Sequence, residues 1–156
     1  MDEQPGSELP DSTLQGLVSF PIVGIGASAG GLPALIDLLQ NMPPAPGMAL
    51  VIVLHLAPDV PSAADRLLQR ATAMPVVQVT QPVSLKLNQV YVISPGVCLT
   101  MEGDQLIAQK PQCTLGVPMT INIFLRTLAE AHGERAIAVL LSGMGSDGVA
   151  GLVSIK

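Results

Sequence analysis

Two consecutive units, each an apolar run followed by a loop and a helical pattern, constrain the fold of this chain more than any other feature. The first unit joins an apolar run over residues 20–26 to helical spacing over residues 32–40. The second joins an apolar run over residues 48–55 to a helix predicted over residues 62–73. Because a strand, a helix and a second strand in this order place the two strands parallel in one sheet, the sequence predicts a parallel sheet.

The rest of the chain continues this plan with one interruption. Leu67 and Leu68 are expected to face inward on the second helix. The further predicted elements are strands over 76–80 and 89–93, a hairpin of 98–101 with 105–109 around Gly103-Asp104, a helix over 120–132, a buried strand over 136–141 and a last helix from near Val149. The expected fold is α/β: a doubly wound, mostly parallel sheet in a Rossmann-like three-layer arrangement, with a short antiparallel hairpin.

Length and composition fit one such domain. The chain has 156 residues, of which 49% are hydrophobic and only 2% aromatic, so its core must be aliphatic, as in buried parallel sheets. Residues 1–19 are rich in Pro, Gly, Ser and acidic side chains and are predicted to form a flexible leader or linker. The folded domain is expected to cover residues 20–156.

Charge and cysteine content exclude several classes of function. With 7 basic and 12 acidic residues the net charge is −5, and no basic stripe is available to bind nucleic acid. The longest apolar run is too short for membrane insertion, and no signal segment is visible, which predicts a soluble cytoplasmic protein. Cys98 and Cys113 lack metal-ligand spacing, so they are expected to be reduced and structural, with no metal bound.

The turn after the first strand carries the first candidate for chemistry. Ser28 lies in a G-x-S-x-G pattern between a strand and a helix, where a sharp turn can expose a nucleophilic hydroxyl. Backbone N–H groups from Ala29 and Gly30 onward could stabilise an oxyanion. Two other interpretations remain open here: Ser28 could be the N-cap of the helix, and the glycines could simply allow close packing of strand and helix.

The same turn also fits a dinucleotide-binding pattern. Residues 24–29 match G-x-G-x-x-G/A, in which a helix N-terminus holds a pyrophosphate. That class of site expects an acidic residue at the end of the second strand, where this chain has His55.

Three predicted strands end in residues that together could form a catalytic triad. Ser28 and His55 follow the first two strands, and Asp147 lies in the loop after the strand over 136–141. Taken alone, His55 would be a buried or edge histidine and Asp147 a helix cap or turn residue. Carboxyl ends of parallel strands meet at one edge of a sheet, which favours a serine, an imidazole and an orienting carboxylate acting together. His132, at a helix end, is interpreted as structural capping.

Four segments resemble the catalytic domain of the chemotaxis receptor methylesterases, the CheB family. They are GASAGG from residue 26, VLHLAP around residue 55, YVISPG from residue 91 and LLSGMGSDGVAGL from residue 140. The resemblance covers residues 20–156 and implies Ser28 as nucleophile, His55 as general base and then acid, and Asp147 as its orienting partner. It also implies oxyanion or substrate contacts from Ala29, Gly30, Met144 and Gly145.

The resemblance implies a cytoplasmic signalling enzyme that needs no cofactor. Members of the family hydrolyse γ-glutamyl methyl esters on the cytoplasmic helices of chemoreceptors, and some also deamidate receptor glutamines. A domain fused to, or associated with, other signalling domains is therefore expected.

The chain departs from the family pattern at several positions. Ala29 replaces a usual Thr, Cys98 stands where His is common, and residues 116–122 lack the usual basic residue and acid. The sequence also stops at Lys156, where the family pattern continues, which predicts a domain truncated at its C-terminus, and no receiver domain precedes it. These departures leave open a catalytically weakened regulatory or interaction module of a larger sensor protein.

Overall fold

The computed structural model describes residues 18–55, 63–110, 119–141 and 148–155. The strands are β1 Ile22–Ala27, β2 Ala49–Leu54, β3 Val76–Val79, β4 Val83–Ser84, β5 Val90–Ile93, β6 Cys98–Glu102, β7 Gln105–Gln109 and β8 Ala136–Leu141. The helices are α1 Leu32–Gln40, α2 Ala64–Ala71, α3 Thr120–His132 and α4 Val149–Ser154. Each helix predicted from apolar spacing is present, within about two residues of its predicted ends.

Five parallel strands form the main sheet in the order β3-β5-β2-β1-β8. Every residue of β1 and β2 is buried, which explains why both read as continuous aliphatic runs rather than alternating ones. The register pairs Ala27 with Leu54 on one side and with Leu141 on the other. The ends of β2, β1 and β8 are therefore level with one another.

The direction of winding reverses at β1. The crossovers through α1 and α2 lead from β1 to β2 and on to β3, whereas α3 precedes β8 on the opposite side of β1. Because parallel crossovers are right-handed, this reversal places α3 on the face opposite α1 and α2. The doubly wound, mostly parallel fold predicted from the sequence is confirmed, and the reversal lies between β1 and β8, where open α/β sheets form their binding crevice.

A second sheet joins β4, β7 and β6 in antiparallel order. Its β6–β7 hairpin is the one predicted around Gly103-Asp104. Helix α3 holds it: the Met101 N–H donates to Thr127 Oγ1 at 2.9 Å, and His132 Nε2 lies 2.7 Å from the Gly103 carbonyl oxygen. His132 is buried, and its structural role is to tie α3 to the hairpin.

Two expectations about burial were wrong. β8 was predicted as a buried strand, but it is the last strand of the sheet order and Ile137 is 42% exposed, because within the described residues nothing covers its outer side. Leu67 was expected to face inward with Leu68, but Leu67 is 39% exposed while Leu68 is fully buried. Two successive helical residues point about 100° apart, so α2 can bury only one of them fully.

Candidate active site

Ser28 lies directly after the last residue of β1, at the carboxyl edge of the sheet. The chain then makes a short 3₁₀ turn over Ala29–Gly31, in which the Gly31 N–H donates to the Ser28 carbonyl oxygen at 2.8 Å. Helix α1 begins at Leu32 with Gly31 as its N-cap. Ser28 is therefore not the N-cap of α1, and its side chain remains half-buried in front of the turn.

His55 lies beside Ser28 on the neighbouring strand. The His55 N–H donates to the Ala27 carbonyl oxygen at 3.1 Å, which extends the β1–β2 ladder by one residue. Since Ala27 pairs with Leu54, Ser28 and His55 occupy the next matched positions, on strands that are about 4.8 Å apart. The two residues therefore follow adjacent strands at the same level of the sheet edge.

The third part of the predicted triad lies outside the described residues. Met144, Gly145 and Asp147 belong to the segment 142–147, about which the structure makes no statement. The segment follows Leu141, the last residue of β8. Leu141 pairs with Ala27, so β8 and β1 end at the same level of the sheet. Of the other predicted oxyanion residues, Gly30 is exposed, and a Cβ built on it would lie 3.8 Å from Ser28 Oγ.

Gly24 and Gly26 face helix α3 across β1. A Cβ at Gly26 would lie 2.5 Å from Ile121 Cγ2, and one at Gly24 would lie 2.9 Å from Leu125 Cδ2. A Cβ at either position would force these side chains to shift, so glycine at both positions lets α3 pack closely on β1 without rearrangement. Close packing of strand and helix accounts for the glycine pattern that also fits a dinucleotide site.

Asn122 is a polar residue of this region that the sequence analysis did not single out. It is buried in α3, and its Oδ1 accepts hydrogen bonds from the N–H groups of Gly148 and Gly151, both at 2.8 Å. Gly148 is the residue that follows the segment 142–147. The sequence signal available was an amide side chain between two core positions of an apolar helix, Ile121 and Leu125.

Two kinds of feature are absent from the described parts of the chain. No three His, Cys, Asp or Glu side chains come together there in a way that could hold a metal ion. None of the helices described has the length and apolar character that a membrane crossing requires.

Comparison with known proteins gives a consistent result. The family model described as CheB methylesterase matches residues 23–156. A protein-glutamate methylesterase/protein-glutamine glutaminase of Rhizobium johnstonii is 32% identical over 94% of this chain and 43% of its own length. A putative protein of the same name from Leptospira interrogans is 28% identical over 89% of this chain and 72% of its own length.

A solved structure agrees with the sequence relatives. The crystal structure of the Thermotoga maritima CheB methylesterase catalytic domain superposes with a TM-score of 0.78 at 26% identity, over 89% of this chain and 76% of that one. The agreement covers the main sheet and the small antiparallel sheet alike. The chain spans about 43% of the length of the Rhizobium relative, so the matched region is one part of a longer protein there.

Proposed function

This chain belongs to the CheB methylesterase family, and we propose that it hydrolyses γ-glutamyl methyl esters of chemoreceptors to glutamate and methanol. The observation that carries the proposal is the matched position of Ser28 and His55 at the ends of two adjacent central strands, next to the reversal of the sheet. An open α/β sheet binds its ligands at this place. A hydroxyl beside an imidazole is the combination that acyl transfer to water requires.

In the first half of the proposed reaction, His55 accepts the proton of Ser28 while Ser28 Oγ attacks the γ-carbonyl carbon of the ester. Asp147 orients the imidazole and stabilises its charged form. The tetrahedral oxyanion accepts hydrogen bonds from backbone N–H groups around Ala29, Gly30, Met144 and Gly145. Protonated His55 then gives its proton to the departing methoxide oxygen, which leaves methanol and a glutamyl ester on Ser28.

In the second half, water hydrolyses that ester. His55 accepts a proton from the water as it attacks, and returns it to Ser28 Oγ when the acyl bond breaks. Glutamine side chains could enter the same cycle, since the same acyl-enzyme forms when ammonia leaves instead of methanol. The names of the relatives pair these two activities.

The proposal includes the setting of the reaction. We assign the catalytic unit to residues 20–156, acting in the cytoplasm on the methylated helices of a receptor, as a part of, or together with, other signalling domains. The cycle needs no cofactor, because proton transfer, nucleophile and oxyanion support all come from the protein.

Replacing the nucleophile tests the proposal. The measurement is methanol release from a helical peptide that carries a γ-glutamyl methyl ester. Ser28→Ala should lower kcat by about six orders of magnitude, since only the catalysis of binding and oxyanion support, roughly 10³- to 10⁴-fold over water, remains. His55→Gln should cost a comparable factor, and the double variant should lose little more, because the two side chains act as one unit.

Ser84→Ala is the matched control, because it removes the same hydroxyl from an exposed position of β4. It should leave kcat unchanged. Labelling with a serine-directed phosphonate should occur in the wild type and in Ser84→Ala but not in Ser28→Ala. A wild-type chain that neither releases methanol nor reacts with the phosphonate would instead be the weakened regulatory module.

A further inference from the structure

The buried amide of Asn122 joins α3 to the start of α4. Asn122 is 6% exposed, and a single oxygen, Oδ1, accepts from the N–H groups of Gly148 and Gly151 at 2.8 Å each. Gly148 is the N-cap of α4 and has no side chain with which to satisfy the N–H of Gly151, three positions later. Asn122 supplies from the neighbouring helix the oxygen that an N-cap side chain normally provides.

Steric constraints make this junction specific. A Cβ at Gly151 would lie 2.8 Å from Leu125 Cβ and 3.2 Å from Asn122 Cα, so only glycine lets the backbone of α4 come close enough for Oδ1 to reach both N–H groups. Gly148 has a φ of +100°, a conformation that L side chains rarely adopt. The spacing of the two glycines therefore fits one arrangement of α4 against α3.

The junction lies on the turn of α3 that packs against β1, the strand that leads to Ser28. Gly148 directly follows Asp147 in the sequence, and the hydrogen bond from its N–H to Asn122 Oδ1 holds this residue against α3. On the same turn of α3, Ile121 contacts Gly26, two residues before Ser28. One turn of α3 thus contacts the strand that leads to the nucleophile and also holds Gly148, the first described residue after the segment 142–147.

We propose that Asn122 is a positioning residue of the esterase, one that holds the start of α4 at Gly148, directly after the proposed triad residue in the sequence. This inference rests on the proposed function. Without the amide oxygen, two buried N–H groups lose their acceptor, and α4 must shift or admit water to satisfy them. A displacement of about 1 Å at a catalytic group is enough to slow an enzyme by about 100-fold.

The test compares Asn122→Ala with Asn122→Asp in steady-state hydrolysis of the γ-glutamyl methyl ester peptide. Asn122→Ala removes the acceptor and should lower kcat by about 10- to 100-fold at an unchanged KM. Asn122→Asp keeps an oxygen in place for both N–H groups, although it loses the weak hydrogen bond from Nδ2 to Met119 Sδ. It should retain most of the wild-type kcat.

Thr127→Val is the matched control on the same helix. Thr127 Oγ1 accepts from the Met101 N–H and so ties α3 to the hairpin, on the side away from α4. This variant should lower the melting temperature but leave kcat unchanged. A purely structural role for Asn122 predicts the same behaviour for Asn122→Ala, and that result would overturn the inference.

Gly151→Ala provides a second route that leaves Asn122 in place. Its new methyl group would push α4 away from Leu125, so kcat should fall at constant KM as it does in Asn122→Ala. An unchanged kcat in folded Gly151→Ala would contradict the inference even if Asn122→Ala did not fold.

If the wild type is active and Ser28→Ala is not, a normal kcat in these variants defeats the positioning role alone. An inactive wild type defeats the proposed function and the inference together.

Discussion

Gly148 combines two constraints that no other residue type satisfies. Its φ of +100° disfavours any side chain, and a Cβ there would lie 2.6 Å from Leu140 Cδ2 and 3.0 Å from Ile121 Cγ2. Both the backbone conformation and the lack of space therefore disfavour a side chain at Gly148. Gly47, with a φ of +80°, shares the first constraint only, since nothing lies within 4 Å of a Cβ built on it.

This pair allows the two costs to be measured separately. Gly47→Ala should lower the free energy of unfolding by about 1–2 kcal/mol, the cost of a positive φ at a residue with a side chain. Gly148→Ala should lower it by a further 1–3 kcal/mol, roughly, because the methyl group overpacks the space between β8 and α3. Urea denaturation gives both values, and equal losses in the two variants would show that Leu140 and Ile121 move aside at no cost.

At the residue level, the sequence predicted the strand-end positions of Ser28 and His55 because both directly follow aliphatic runs whose ends are easy to locate. Their matched register could not be read from the sequence, since it depends on which strands are neighbours. The role of Asp147 stays a prediction. Asn122 was missed because its partners are backbone N–H groups about 26–29 positions away in the chain, and backbone groups leave no signature in composition or spacing.

At the level of elements, the turn between β4 and β5 depends on one buried phenol. Tyr91 is fully buried in β5; its hydroxyl donates to the Ser84 carbonyl oxygen at 3.2 Å and accepts from the Lys86 N–H at 2.7 Å. Burial raises the pKa of Tyr91 above its ordinary value of 10.0, with the Lys86 hydrogen bond acting in the opposite direction. It is the only tyrosine of a chain without tryptophan, so tyrosine absorption and fluorescence in the ultraviolet report this one position.

Tyr91→Phe should lower the free energy of unfolding by about 1–3 kcal/mol at neutral pH, because the Lys86 N–H and the Ser84 carbonyl lose their partner. The neutral phenol stabilises the fold fully below pH about 10, the pKa in the unfolded chain, and this contribution is lost as the pH rises through the raised pKa of the folded state. Denaturation of both proteins from neutral to alkaline pH checks this. The stability difference should shrink above pH about 10, and a difference that grows would contradict the prediction.

The elements themselves were predictable in proportion to their length and periodicity. Helix α3 has the predicted bounds and buries Ile121, Phe124, Leu125 and Leu128 as its spacing requires. The two-residue strand β4 was not predicted, because two residues carry no period. The exposure of β8 could not be predicted either. An aliphatic run indicates a strand of a parallel sheet, but the burial of that strand depends on whether another strand lies beside it.

At the level of the whole molecule, the two sheets share one hydrophobic core. Leu99 and Leu106 of the antiparallel sheet belong to the same buried cluster as Ile22 and Val51 of the parallel sheet. Helix α3 connects them, since it packs on β1 through the two glycines and on β6 through Thr127. A core shared in this way leads us to expect one cooperative unfolding transition for both sheets.

Leu99→Ala tests this directly, because Leu99 is fully buried in β6, whereas Tyr91 lies in β5 of the parallel sheet and is bonded to Ser84 of β4, so its signal follows the contact between the two sheets. The cavity should cost about 2–5 kcal/mol. If the sheets unfold together, the transition followed by the Tyr91 signal should shift by the same amount as the one followed by far-ultraviolet circular dichroism. Leu87→Ala, at a position that is 50% exposed, should shift neither. A dichroism transition that becomes biphasic, with the Tyr91 signal changing in the first phase, would mean that the hairpin sheet unfolds independently, and that α3 holds the two sheets together only in the native state.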